Sequence, residues 1–330
     1  MSVVRIQRFA VKGLSSDELD FAELHAGRGL PNDRRFAFIF LRCAHLLREN
    51  EWLHKENFLS VFATPSVCCG VETRFDDSSA ELSVWRRGER AAPPLLVAPL
   101  GEAAGREAAA AFFSTLAGEP LALVDGADTH QFGNTRKGVL ASGDLRTLHL
   151  VNENTVRALS EAAGVPLDPR RFRPNLLLRG VPAWEEFSWV GKELRLGPKA
   201  RLRVISRTTR CAGVDRSAEA AAGGGEADAG GAVDVCQLLR QHFPQHGPFL
   251  GVYAQCCRSG GVRRGDALLV CAVSAPRRWA ETAARLCVRL GVPQRWVGCR
   301  DPTAGAACAA ALLLALCLHA ILSLGATAAP

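Results

Sequence analysis

The sequence predicts a mainly β protein with peripheral helices, an α+β chain whose strands curl into a barrel-like sheet. Short runs of alternating or β-rich residues recur along the chain, and Gly and Pro separate them. Windows with helical periodicity are few and lie between those runs. No stretch repeats at a fixed period.

The first strand is expected over residues 3–9, where Val3, Ile6 and Phe9 are interleaved with Arg5, Gln7 and Arg8. Lys12 and Gly13 then make a turn, and an apolar run over 36–41 resumes the sheet. Further strands are expected over 81–85, 121–124, 175–179, 189–196, 200–207 and 267–273, with a loop over 86–94. The clearest helix spans 153–163, with Val156, Leu159 and Ala163 on one face, Asn152 as its cap and Gly164 as its stop. Other helices are expected over 106–116, 235–243 and 277–290.

The chain has 330 residues, of which 48% are hydrophobic and 22% charged, enough to bury a large core. Its 40 basic against 33 acidic residues give a formal charge of +7, which suits an anionic ligand. No basic block is interleaved with aromatics, and Tyr253 is the single tyrosine, so nucleic acid is not expected as a partner. Twelve cysteines are spread along a chain with no secretory signal pattern, which favours a reducing compartment over a disulfide framework. The close spacings are the adjacent pairs Cys68 with Cys69 and Cys256 with Cys257, and no C-x-x-C occurs, so a structural zinc site is not expected.

Two segments depart from this composition. Residues 218–232 are Gly and Ala with three acids and no large apolar side chain, and are expected as a flexible surface insertion. Residues 304–326 carry no charge and have about the length of a bilayer-spanning helix, while Arg295 and Arg300 precede them. The expectation is a tail anchor holding the body at a cytosol-facing membrane surface, organelle unspecified. The alternative is a soluble cytoplasmic protein with a buried apolar C-terminal helix.

Chemistry concentrates from Asp168 onward. The segment running from Asp168 to Asn175 reads D-P-R-R-F-R-P-N, in which Arg171 and Arg173 flank a proline-fixed turn and present guanidinium forks suited to an oxyanion. A solvated or ion-paired loop is the alternative reading of that segment alone. Cys211 closes the segment R-T-T-R-C, and Arg207 and Arg210 beside it favour the thiolate that a soft metal requires. Without further context, a buried, inert thiol is the reading such a cysteine favours. Asp215 and Asp266 are expected in structural roles.

Taken in order, R-F-R-P-N, W-x-x-x-x-W-V-G, R-T-T-R-C, G-V-Y-A and G-G-x-x-x-G-D resemble the MOSC family, the molybdenum cofactor sulfurase C-terminal domain. The amino-terminal part resembles the β-barrel region that precedes such domains, through Lys12-Gly13 and the G-L-x-x-D-R pattern ending at Arg34. The likeness extends from about Val3 to about Val270 and is to the stand-alone type similar to the mitochondrial amidoxime-reducing component. Gly213 and Arg216 stand where the family commonly has Thr and Pro, and the insertion enlarges the loop after Cys211.

The resemblance implies residues 1–125 as an amino-terminal β-barrel region and 126–273 as the MOSC domain; the helical extension expected over 274–303 and the tail over 304–326 lie outside it. It implies a molybdenum cofactor with Cys211 as metal ligand and catalytic centre. Lys12, Arg34, Arg171, Arg173, Asn175 and Arg210 are the implied cofactor contacts, and Lys55 is a further one. Pyridoxal phosphate is not expected, because no desulfurase domain precedes the barrel. The implied activity is an oxidoreductase that reduces N-hydroxylated small molecules, using an external donor of cytochrome b5 or ferredoxin type. A non-redox carrier of cofactor, or of sulfur as a persulfide on Cys211, is the alternative, and a scaffold that has lost the cofactor is a third reading.

Overall fold

Alternating apolar residues bring the first strand into one sheet with strands from residues 147–271. The structure, a computed structural model, describes residues 1–49, 51–127, 130, 132, 146–215 and 233–271. In chain order the strands are β1 (Ser2–Arg8), β2 (Asp17–Leu19), β3 (Phe21–Leu24), β4 (Phe36–Phe40), β5 (Val71–Asp76), β6 (Glu81–Arg86), β7 (Leu96–Pro99) and β8 (Leu121–Asp125). They continue with β9 (Thr147–Asn152), β10 (Leu176–Arg179), β11 (Glu193–Leu196), β12 (Ala200–Thr209), β13 (Phe249–Arg258), β14 (Gly260–Arg263) and β15 (Leu268–Cys271). The helices are α1 (Pro65–Gly70), α2 (Ala103–Ala117), α3 (Glu153–Ala163) and α4 (Val235–His242).

The principal sheet has the order β15-β11-β12-β13-β9-β10-β1-β2, so the first strand lies beside elements from the second half of the chain. Its interior joins Val3, Ile6 and Leu24 to Trp189, Leu194, Val204 and Val252 in one apolar cluster. A second cluster packs Phe36, Phe38 and Leu59 with Phe75, Leu82 and Phe113, under the β5-β6-β7 sheet and α2. Residues Met1–Cys271 form one compact unit.

The expectation of a barrel needs correction, because the ladder does not close. One edge of β1 pairs with β10, and its other edge is shared: Ile6 to Arg8 pair with β2, leaving Ser2 a single bridge to Ala267. Two flanking hydrogen bonds, Val3 N to Asp266 O at 3.0 Å and Leu268 N to Met1 O at 3.1 Å, hold that corner without extending the ladder. The amino-terminal region is likewise split among the principal sheet, the β4-β8 and β14-β3 pairs and the β5-β6-β7 sheet.

Local signals explain the elements that position the site. Asn152 caps α3 by accepting from Asn154 N at 3.0 Å, and Gly164 ends it in the left-handed region. Asp168 caps a 3-10 turn over Pro169–Phe172, which Arg173 terminates at φ 54°. The strand expected over 189–196 divides: Trp189 ends a 3-10 turn, Gly191 takes φ 85°, and only Glu193–Leu196 is extended. Buried Glu186 accepts from Asn152 Nδ2 at 2.9 Å and from Thr155 Oγ1 at 2.9 Å, tying that turn to α3.

The insertion over 218–232, the helix over 277–290, the extension over 274–303 and the apolar tail over 304–326 lie outside the described residues. Among the described residues, no helix is long and apolar enough to cross a membrane.

Candidate functional site

Lys12, Arg34, Lys55, Arg171, Arg173, Asn175, Arg210 and Cys211 all line one cleft. Residues as far apart in the chain as Lys12 and Tyr253 meet there, from the segments that follow β1 and β12 and from β9 and β13 themselves. Among the described residues, its lining contains six cationic side chains and no Asp or Glu.

Cys211 follows the last residues of β12 in extended conformation and opens a 3-10 turn over Ala212–Val214. It is exposed, and Lys55 Nζ donates to its Sγ at 2.6 Å. Lys55 begins its own 3-10 turn over Lys55–Asn57, and its ammonium also lies 4.0 Å from the Phe62 ring centroid. Arg171 reaches the Cys211 turn from the other side, with Nη1 donating to the Val214 carbonyl at 3.2 Å.

Deeper in the cleft, Lys12 is half-buried and donates to the Phe132 carbonyl at 2.8 Å. Burial, reinforced by the charges of Arg34, Arg173 and Lys55, brings its ammonium down to about 7. Gly13 beside it takes φ 87°, and a Cβ there would sit 2.6 Å from the Leu59 carbonyl oxygen, so the Lys-Gly pair meets a real steric demand. Arg34 takes φ 47° and donates to Asp33 at 2.6 Å, to Asn175 Oδ1 at 3.1 Å and to the Arg173 carbonyl at 3.0 Å. Arg34 and Arg173 both lie over the Phe9 ring, at 4.3 and 4.1 Å from its centroid.

Asn175 and Arg210 are held by the protein itself. The Asn175 amide accepts from His149 N at 2.9 Å and donates to the Gln7 carbonyl at 3.1 Å, in addition to its bond from Arg34. Arg210 donates through Nε to the Leu250 carbonyl at 2.9 Å, through Nη1 to the Phe172 carbonyl at 3.3 Å and through Nη2 to His149 Nε2 at 2.6 Å. Burial lowers Arg210 to about 10, which leaves it charged at neutral pH. Both side chains therefore fix the walls that carry Cys211 and the arginines.

Sequence reasoning missed His149 and did not assign Tyr253. His149 lies on β9, and burial together with the Arg210 charge holds its imidazole well below the usual range, so it is neutral. Its Nδ1 donates to the Arg173 carbonyl at 3.3 Å, which leaves Nε2 to accept from Arg210. Tyr253 packs on it with ring centroids 5.4 Å apart, and burial raises its phenol. The available signals were a lone His among the apolar residues of β9 and the tyrosine of G-V-Y-A. Gly251 of that motif takes φ 76°, and a Cβ there would meet His149 Nε2 at 2.8 Å.

Asp215, Asp234 and Cys236 also bring potential metal-binding atoms within 4.8 Å of one another. Two of them already serve α4: Asp215 Oδ1 accepts from Val235 N at 3.0 Å and Asp234 Oδ1 from Gln237 N at 2.6 Å.

Residues 137–269 match the family model of the MOSC domain. The matched segment is under half of the chain and is similar to MOSC domains, a family associated with the molybdenum cofactor. Similar solved structures include the YuaD protein of Bacillus subtilis, 10% identical over 83% of this chain and 96% of that one, with a TM-score of 0.36. Another is YiiM of Geobacillus stearothermophilus, 17% identical over 42% of this chain and 69% of that one, with a TM-score of 0.28. No curated protein matches the sequence.

The donor set fits a molybdenum cofactor. A thiol beside an ammonium suits a soft metal, and a deep end lined by Lys12, Arg34, Arg171 and Arg173, of which Arg34 is partly balanced by Asp33, suits a phosphate. Burial, with the charges of Arg34, Arg173 and Lys55, lowers Lys12, and a bound anion would offset that penalty.

Proposed function

We propose that the protein holds a molybdenum cofactor through the Cys211 thiolate and reduces N-hydroxylated small molecules. The observation that carries this reading is the convergence of Cys211, Lys55 and the cationic deep end on one cleft, in a chain similar to MOSC domains. When bound, the cofactor supplies two-electron chemistry at the metal. Cys211 ligates, and Lys55 compensates the thiolate charge. Lys12, Arg34, Arg171 and Arg173 take the phosphate end, while His149, Asn175 and Arg210 keep the walls in register.

For a hydroxylamine the overall reaction consumes two electrons and two protons and yields an amine and water. The electrons come from a separate one-electron donor of cytochrome b5 or ferredoxin type. Turnover of a hydroxylamine or amidoxime with a chemical reductant tests the reading. The wild type is expected to turn over and Cys211→Ala to fall to background, whereas molybdenum-loaded wild type that gives no amine contradicts it.

The exposure of Cys211 also favours a second reading, a carrier that hands on sulfur as a persulfide. Persulfide on Cys211 in a chain without reductase turnover selects that reading.

A further inference from the structure

The mouth of the cleft differs in character from its deep end. Phe62 stands there with 42% of its surface exposed, in the same lining as Cys211. The ring is held in place by its neighbours: Lys55 Nζ lies 4.0 Å from its centroid, and the His54 ring meets it edge-on at 6.3 Å. Trp52 meets His54 edge-on in turn at 5.6 Å. A large exposed aromatic braced by an ammonium that also touches the reactive sulfur is a prepared surface.

The space between the Phe62 Cβ and the Cys211 thiol is left free by a missing side chain. A Cβ at Gly213 would lie 3.7 Å from Cys211 Sγ and 3.8 Å from Phe62 Cβ, so even a methyl group would reach van der Waals contact with both. No positive φ demands glycine at that position. The residue is therefore unconstrained by its backbone and keeps open a slot bordered by Phe62 on one side and Cys211 on the other.

We propose that Phe62 and Gly213 determine specificity, forming a flat slot that selects substrates carrying an aromatic ring next to the reacting nitrogen. This rests on the reductase reading for what occupies the slot, while the slot itself can be tested without the cofactor. In the cofactor-free full-length chain, N-phenylmaleimide and N-methylmaleimide add to a thiolate through the same double bond, so once their intrinsic difference is set by the unfolded chain, any change in their rate ratio at Cys211 reports recognition of the substituent. The rate ratio at the Cys211 peptide, read by mass spectrometry, is compared with that of the guanidinium-unfolded chain.

Stacking on a held ring predicts a phenyl-to-methyl ratio about three- to tenfold above the unfolded chain. Phe62→Ala is expected to bring the ratio back to the unfolded value and Phe62→Trp to keep it. Gly213→Val is expected to slow the phenyl reagent more than the methyl one. If Phe62→Ala fails to fold, Phe62→Leu and Gly213→Val decide. A wild-type ratio equal to that of the unfolded chain, or one unmoved by the Phe62 and Gly213 variants, overturns the proposal.

With the loaded enzyme, Phe62→Ala is expected to raise KM for phenylhydroxylamine about three- to tenfold and to leave that for methylhydroxylamine unchanged. Equal changes for both substrates also overturn it. Absence of molybdenum from the wild type would remove the reductase reading and leave the maleimide result standing. A flat maleimide ratio in a chain that does bind molybdenum removes the slot alone.

Discussion

At the residue scale, Lys12 shows how the cleft is prepared for an anion. Its ammonium is buried among like charges, and its folded value near 7 lies below the ordinary 10.5. Below pH 7 both folded and unfolded chains carry the proton, so the burial penalty is fully present. Between 7 and 10.5 the unfolded chain holds the proton more tightly, and stability must rise with pH. Replacing Lys12 by Met is therefore expected to reduce that rise by up to about 1.4 kcal/mol per pH unit, measured by urea unfolding at pH 7.5 and 9.5. Equal slopes in both proteins would show that Lys12 is not held as described. The motif residues Lys12, Arg34, Arg171, Arg173 and Cys211 were legible in the sequence because each sits in a short patterned segment. Nothing in a linear pattern could reveal that the Asn175 amide and Arg210 guanidinium face inward onto backbone carbonyls and His149.

At the scale of elements, the site depends on strands that pass unusually close to one another. Gly251 lets β13 run past β9, since a Cβ there would lie 2.6 Å from the Leu150 carbonyl oxygen and 2.8 Å from His149 Nε2. Gly251→Ala is expected to destabilise the chain by about 1–3 kcal/mol through the strained φ and the displaced His149. Thermal unfolding checks the stability, and a loss of molybdenum retention checks the effect on the site. An unchanged Tm would contradict the close approach. Helices α3 and α4 were readable from caps and apolar spacing, which are local signals. β9 and β13 were not read as strands, although they flank the cleft. β9 is buried on two faces through Leu148, Leu150 and Val151 and so lacks alternation, whereas β13 does alternate, burying Leu250, Val252, Ala254 and Cys256 on one face. The barrel expectation failed because closure depends on long-range pairing at one edge of β1, where β2 takes Ile6 to Arg8 and only Ser2 bridges to Ala267.

At the scale of the whole molecule, sheet order makes the two halves inseparable. β1 pairs with β10, β3 pairs with β14, and Val3, Ile6 and Leu24 complete the core around Trp189 and Val252. A fragment of residues 126–273 leaves β10 with an open edge and exposes that core, so it is expected to aggregate or unfold when expressed alone. Co-expression with residues 1–125 is expected to restore soluble material, as judged by size exclusion and circular dichroism. A cooperatively folded fragment on its own would contradict the shared sheet. The cleft draws Lys12, Arg34 and Lys55 from the first half and Arg171, Arg173 and Cys211 from the second, so ligand binding depends on the same joining. The most direct test is the molybdenum and pterin content of the purified full-length chain, in wild type and in Cys211→Ala. The predicted result is about one molybdenum and one pterin per wild-type chain, with the metal lost from the variant. Wild-type protein without molybdenum, from cells that make the cofactor, would contradict the assignment.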